Sequence, residues 1–380
     1  MNRVEKLIED LTPGGVVFAR LGEVIRIKNG RDYKHLGSGD VPVYGTGGVM
    51  TYVDTAAHPG PSVLIPRKGS LNKLYYVDQP FWTVDTIFYS EVGERLNPKF
   101  LFYFLLTQRL EELNKAGGVP SLTQGELNQL KVPVPPLEVQ SEVVRILDHF
   151  TELEAELEAE LEARRRQYAH YRSGLLNPHG KSSIRWSTLG EVSKRVSSGA
   201  TPTAGRAEYY GDGEIPWLRT QEVKFVDVWE TEMRITERAL KETAAKWIPA
   251  NCVIVAISGA TAGRSAVNRI PLTTNQHCCN FEIDPEQANY RYVFYWVRSQ
   301  YEEIKSMGQG ARSDLNASLI KGFPIPVPPL SEQERIVEAL DKFDALVNDL
   351  SIGLPAELAA RRKQYEYYRD KLLTFEEAPA

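Results

Sequence analysis

Near the end of the chain apolar positions recur at steps of four and three: Ile336, Leu340, Phe343, Val347 and Leu350. Such a stripe is the seam of a helix packed lengthwise on another. Val143, Leu147 and Phe150 begin the same stripe near mid-chain, which continues with a four-residue period as Thr151-Glu-Leu-Glu, Ala155-Glu-Leu-Glu and Ala159-Glu-Leu-Glu162. The spacing predicts one helix over 138–175, roughly 55 Å long at about 1.5 Å per residue. The later helix is predicted to break at Gly353 and restart at Pro355, a residue suited to a first helical turn. Ser331 and Glu334 have capping-box spacing at its start, whereas Glu138 and Ser141 at the matching place require a different cap. Elsewhere Ser62–Ile65, Phe81–Tyr89 and Cys252–Ile257 are short apolar runs bounded by Gly, Pro and Asp, as strands are. Pro98–Leu113 and Tyr290–Met307 read as amphipathic helices leading into the glycine-bearing loops 117–120 and 308–310.

The pattern is doubled. Val132-Pro-Val-Pro-Pro-Leu137 recurs 193 positions later as Ile325-Pro-Val-Pro-Pro-Leu330, and Arg164-Arg-Arg-Gln-Tyr168 recurs at an offset of 197 as Arg361-Arg-Lys-Gln-Tyr365. The second copy has gained four residues, most simply around Ser351 to Pro355. Leu21–Val24 echoes Leu189–Val192, Val41–Tyr44 echoes Ile215–Leu218, and Ser62–Ile65 echoes Cys252–Val255. The expected fold is α+β: two β-rich domains, 1–135 and 182–328, separated by long helices, 136–181 and 329–380. The related helices are expected to pack as an antiparallel coiled coil about an approximate two-fold axis. The alternative is that each helix only completes the core of its own domain. The join at Lys181–Ile184 carries no motif.

Composition is that of a globular protein, 42% hydrophobic and 25% charged. The first ten residues are mixed and charged, and no run approaches the roughly 18 apolar residues that span a bilayer, so a cytoplasmic protein without membrane contact is expected. Cys252, Cys278 and Cys279 match neither a disulfide framework nor a zinc site and read as buried strand residues. Net charge is −5, but residues 1–135 and 182–328 each carry +1, and all the net acidity lies in the helical segments. A basic face on each β-rich domain is therefore permitted.

No catalytic site is visible. The chain has no phosphate-binding G-x-x-x-x-G-K-[ST] loop, and Gly45-Thr-Gly-Gly48 lacks dinucleotide-fold spacing. There is no Asn- or Asp-Pro-Pro-aromatic tetrapeptide of an amino-methyltransferase. The six histidines have no metal spacing, and His277 reads as core. Residues able to read DNA are available in loops: Lys28, Arg31, Lys34, Tyr44, Thr46, Arg67, Lys68, Asn72 and Lys73 in the first domain. The second domain offers Ser198, Thr201, Arg206, Arg219, Thr220, Gln221, Thr261 and Arg264. Arg and Lys hold phosphates or guanine edges, and Asn and Gln suit adenine. The arginine runs beside tyrosines (Arg164, Arg165, Tyr168; Arg361, Arg362, Tyr365) are candidates for partner binding, or for packing on the helix seam.

Val-Pro-x-Pro-Pro-Leu followed by x-x-Gln and an apolar helix, at Val132–Gln140 and Ile325–Gln333, resembles the repeat of type I restriction-modification specificity subunits. Ala360–Arg369 after Gly353-Leu-Pro355, and the tetrads at 151–162, resemble the IC-like group. The resemblance implies two target-recognition domains, each contacting half of a split double-stranded DNA site, with the helices as a ruler for the gap. It implies two docked methyltransferase (modification) subunits with S-adenosylmethionine, and it leaves room for two restriction subunits using ATP with Mg. No cofactor is expected on this chain, which would be a non-catalytic subunit. The competing class is a duplicated coiled-coil assembly adapter that does not touch DNA.

Overall fold

The computed structural model describes residues 3–114, 118–177, 184–308, 315–348 and 352–379. They form two compact units, Met1–Glu160 with Ala356–Ala380 and Leu161–Pro355.

In the first unit a four-stranded antiparallel sheet runs in the order Ile25–Asn29, Ile87–Val92, Ser62–Pro66, Tyr75–Val77. Side chains alternate across a strand, so Val63 and Ile65 enter one core with Ile25, Ile27 and Phe88, while Leu64 joins Val77, Ile87 and Tyr89 in another. A three-stranded sheet stands beside it, with Val41–Gly45 between Gly48–Val53 and Trp82–Thr83, the last pairing parallel. Phe18–Arg20 pairs with Lys131–Pro133 and closes the base.

The second unit repeats this plan. Ser193–Ser198, Cys278–Ile283, Val253–Ala256 and Ser265–Asn268 follow the order of the four-stranded sheet, extended by Asp227–Val228. Ile215–Leu218 pairs antiparallel with Met233–Ile235 and parallel with Leu272–Thr274, and Arg185–Thr188 pairs with Pro324–Val327. The sequence echoes are thus structural equivalents: Val41–Tyr44 and Ile215–Leu218 both lie on the strand with the parallel partner.

The long helix spans Leu137–Leu176, and later helices span Leu330–Asn348 and Leu354–Leu373. Both expectations for their stripes are partly met. Val139, Val143 and Leu147 complete the core of the first unit, and beyond them a helix seam begins. Phe150 meets Tyr365 and Tyr368, and Arg362 pairs with Glu154 at 2.6 Å and with Glu158, so the two helices run antiparallel in this unit. In the second unit Tyr168 and Tyr171 stack on Phe343. Each Phe of the repeat therefore receives the tyrosine pair of the other copy. That exchange is why the four sequence segments condense into two units, with the long helix shared between them at Glu160.

Polar pins fix the helices. The buried Gln140 amide accepts from the Asn97 backbone N–H at 2.7 Å and donates to the carbonyls of Pro135 and Arg95 at 2.7 and 3.0 Å. Gln333 accepts from the Asn289 N–H and donates to the Pro328 carbonyl, both at 2.8 Å. Asn97 and Asn289 in turn cap the helices Pro98–Thr107 and Tyr290–Ser299. Two turns further, Asp148 accepts from Tyr103 Oη at 2.6 Å and Lys99 Nζ at 2.8 Å, and Asp341 accepts from Arg291 and Tyr295 in the same places.

Several local expectations differ. The later helix starts at Leu330, so Ser331 lies inside its first turn and forms no capping box; the amides of Glu332 and Gln333 reach the Pro329 carbonyl instead. Phe81–Tyr89 is split between Trp82–Thr83 and Ile87–Val92. The helix over 290–307 breaks at Gln300, and the one over 98–113 ends at Thr107 before the turn Leu110–Leu113. Pro355 is the second residue of its helix, as expected. An N-terminal helix, Arg3–Leu11, was not anticipated. Leu350, Ser351, Lys181–Ser183, Gly117 and Gln309–Gly310 lie outside the described residues.

Replacing Gln140 or Gln333 by Leu leaves buried backbone groups without partners, at a cost of about 1–3 kcal/mol. Denaturant unfolding of each variant should show that loss; an unchanged midpoint would show that the pin is dispensable.

Candidate nucleic-acid interface

Equivalent loops gather at one end of the β core in each unit. In the first they are the stretch after Asn29, the turn between Gly45 and Gly48, the turn after Pro66 and the segment 83–86 between strands. Gly30 makes the convergence possible: a Cβ there would stand 2.0 Å from the Val84 carbonyl oxygen, and the next amide, Arg31 N–H, donates to Thr83 O at 2.7 Å. The second unit repeats the device. A Cβ on Gly199 would lie 1.8 Å from Thr274 O, and Ala200 N–H donates to that oxygen at 2.9 Å. Only glycine tolerates such an approach.

The loops of the first unit enclose a cleft of about 820 Å³ lined by Lys34, Thr46, Met50, Lys68, Asp85 and Val119. Lys34 and Lys68 are exposed and have no carboxylate partner among the described residues. Arg31 lies over the Trp82 ring at 5.2 Å, and Arg67 donates to the Asp85 carbonyl at 3.2 Å. Lys28 pairs with Glu91 at 3.4 Å on the sheet. Two candidates have structural duties instead. Thr46 Oγ1 lies 3.0 Å from both the Lys68 and Thr86 carbonyls, so its hydroxyl ties three loops together. Tyr44 is half-buried against Tyr75 and Phe81, where burial raises its phenol pKa. Lys73 is exposed, while Asn72 borders a separate hollow next to Thr107 and Arg369.

The equivalent end of the second unit has a different electrostatic character. Arg219 meets Glu232 at 2.7 Å and Glu222 at 3.6 Å, and Gln221 Nε2 donates to the same Glu232 at 3.3 Å. Thr261 Oγ1 donates to the Thr220 carbonyl at 2.8 Å, which brings those two predicted loops together. Arg206 pairs with Glu208 and stacks on Tyr209, Thr201 bonds Gln276, and Ser198 is exposed at a strand end. Arg264 is partly buried, and its Nε has no hydrogen-bond partner among the described residues. Free lysines thus mark one end, and arginines held by carboxylates mark the other.

Sequence analysis missed Met50, Val119, Glu222, Glu232 and Gln276. It also placed His277 in the core, whereas the residue is exposed in the turn before Cys278. A long-range contact such as Arg219 with Glu232 has no local signal. Among the partner-binding candidates, Tyr168 is 4% exposed beneath Phe343 and Tyr365 is half-buried on Phe150, so both serve the seam. Arg362 is engaged by Glu154 and Glu158, Arg361 lies 3.7 Å from Glu357, Arg164 bonds Gln167, and Arg165 is exposed.

Comparisons with known proteins agree with this architecture. The family model described as "Type I restriction modification DNA specificity domain" matches residues 13–163 and again 184–360. The Escherichia coli type I restriction enzyme EcoR124I/EcoR124II specificity subunit is 38% identical over 262 residues, which are 65% of this chain and 64% of that subunit. A putative type I restriction enzyme specificity subunit of Haemophilus influenzae is 31% identical over 89% of both chains. The crystal structure of a type I restriction-modification S subunit from M. genitalium superposes with a TM-score of 0.63 at 16% identity, covering 94% of this chain and 96% of that one. A chain from a structural study of type I complex assembly and conformational transition gives 0.65 at 17%, covering 96% and 98%.

The three thiols lie in the second unit's sheet or directly beside it, all buried as expected, and burial pushes those of Cys252 and Cys279 up to about 12 and raises that of Cys278. The native state therefore holds its thiols protonated while an unfolded chain ionises near pH 8.5. Stability should fall as pH rises above that point. A thiol reagent at pH 8 should label none of the three natively and all three in denaturant; rapid native labelling would contradict this burial.

Proposed function

Because this chain belongs to the type I restriction-modification DNA specificity family, we propose that it is the non-catalytic, DNA-reading subunit of a type I restriction-modification complex. Each unit reads one half of a two-part double-stranded target. The observation that carries the proposal is the duplicated loop end: one scaffold, drawn together at Gly30 and Gly199, presents two chemically different surfaces. Two modification subunits dock on the chain and supply adenine methylation with S-adenosylmethionine. Restriction subunits add translocation and cleavage driven by ATP with Mg. The complex works in the cytoplasm, where the chromosome lies; no helix among the described residues is long and apolar enough to cross a membrane.

Lys34 and Lys68 at the first loop end are suited to phosphates. Arg31, Arg67 and Lys73 flank them, and Arg219, Gln221, Arg264 and Thr201 are the base-reading candidates of the second end.

Binding of target DNA by the chain with its modification subunit should weaken steeply with salt. Replacing Lys34 and Lys68 by Ala should lower the log–log slope by up to about 1.8, since each phosphate contact contributes about 0.9. A slope unchanged in the double variant removes those lysines from the interface, and binding without salt dependence removes DNA altogether. Deleting the tetrad Ala155–Glu158 shortens the helix by about 6 Å. Mapping methylated sites should then show an altered gap with both half-sites intact; a change in the specified bases would contradict the ruler.

A further inference from the structure

Two large apolar side chains at the loop end of the first unit lie outside its apolar cores. Met50 is 57% exposed and Val119 is 69% exposed, and both line the cleft whose rim carries Lys34 and Lys68. Both are held in place. Met50 belongs to the strand Gly48–Val53, and its Sδ lies over Gly45, where a Cβ would stand 2.6 Å from the sulfur. Val119 is fixed by the backbone that follows it. Gly69 N–H donates to the Pro120 carbonyl at 2.9 Å, and Leu122 N–H donates to the Arg67 carbonyl at 2.9 Å. The loop after Gly118 is thereby fastened beside Lys68, which also bridges to Ser121.

Single exposed apolar residues are ordinary on a protein surface, so exposure by itself assigns nothing. Their surroundings do. Lysines on the rim attract phosphates, but an apolar side chain gains nothing from a phosphate, and Asp32 and Asp85 in the same cleft repel it. The rim therefore suits the DNA backbone, and the interior suits the edges of bases. Among the described residues no Arg, Asn or Gln lines this cleft, so the bidentate readers of guanine and adenine are missing from it. Arg31 lies over Trp82, Arg67 is bonded to the Asp85 carbonyl, and the Thr46 hydroxyl is taken up by two carbonyls. In the major groove one base alone presents an apolar group, thymine with its C5 methyl. We propose that Met50 and Val119 are specificity-determining residues that read a thymine methyl group in the first half-site. The proposal rests on the functional reading above and names the base that the first unit selects. The second unit is built for the opposite chemistry, with Arg219, Thr220 and Gln221 following the equivalent strand Ile215–Leu218.

The test uses the full chain with its modification subunit and the target duplex found by mapping methylated sites. Each thymine of the target is replaced in turn by deoxyuridine, which lacks only the methyl group. Wild type should lose affinity at thymines of a single half-site, by roughly fourfold each, the worth of one buried methyl. M50A with V119A should show the same loss on the natural target, and deoxyuridine at those positions should then cost nothing further. M50L, which keeps an apolar contact, should retain the discrimination. Both residues are exposed, so thermal melting should not change. No phosphate contact is removed, so the double variant should keep the wild-type salt slope. A slope that falls places the two residues at the DNA backbone and overturns the thymine assignment. Deoxyuridine tolerated at every position, or costing wild type and the double variant equally, overturns it too and leaves the functional reading standing. A wild-type complex that binds the target no better than a random duplex overturns both.

Discussion

A helix that lies on a β core for three turns and then on another helix must be held against sliding, because apolar contacts by themselves fix neither its position nor its rotation. In this chain polar groups do the holding. Gln140 and Gln333, buried where strand turns into helix, exchange hydrogen bonds with the carbonyl of the first proline of the pair and with the amide that opens the neighbouring helix. A buried amide of this kind is satisfied in only one register, and any shift strands its partners. Asp148 and Asp341 repeat the constraint two turns later, each gathering a tyrosine and a cation from that same neighbouring helix. The strand, the capped helix and the long helix of each unit are thereby fixed as one piece, and the positions of the loops follow from it.

The loop ends show how one scaffold can carry two readouts. The parts that set their geometry are the same in both units: a glycine crossing a parallel strand, the amide after it donating to that strand, and a turn lodged beside it. The parts that face outward are not. Exposed lysines keep their full attraction for phosphate, whereas Arg219 between Glu222 and Glu232 keeps its directional donors with little net charge. The near-neutral total of each domain conceals that difference, since net charge says nothing about where like charges cluster.

Duplication also sorts the surface by role. Side chains retained in both copies and stacked on one another, such as Phe150 and Phe343 with their tyrosine pairs, hold the helices together. The loop ends carry different side chains, lysines in one unit and arginines paired with carboxylates in the other. The arginine runs divide in the same manner: the adjacent tyrosines belong to the seam, and Arg362 is drawn into ion pairs with the tetrad glutamates.

The order of domains and helices was legible in the sequence because it is written in local, repeating signals: a heptad stripe, a Pro-Pro stop and a duplicated motif. Strand equivalences such as Val41–Tyr44 with Ile215–Leu218 were legible for the same reason. Two loop clusters in each domain could be marked as candidates, since Lys, Arg and Asn in turns are visible one residue at a time. Tertiary structure alone decided which of them converge, that Thr46 and Tyr44 are taken up internally, that His277 faces outward and that Arg219 has two acidic partners. It also decided that each phenylalanine of the repeat packs on the tyrosines of the other copy. Those facts rest on contacts between residues tens to hundreds of positions apart. Sequence periodicity fixes which face of an element is apolar, but not which distant face will cover it.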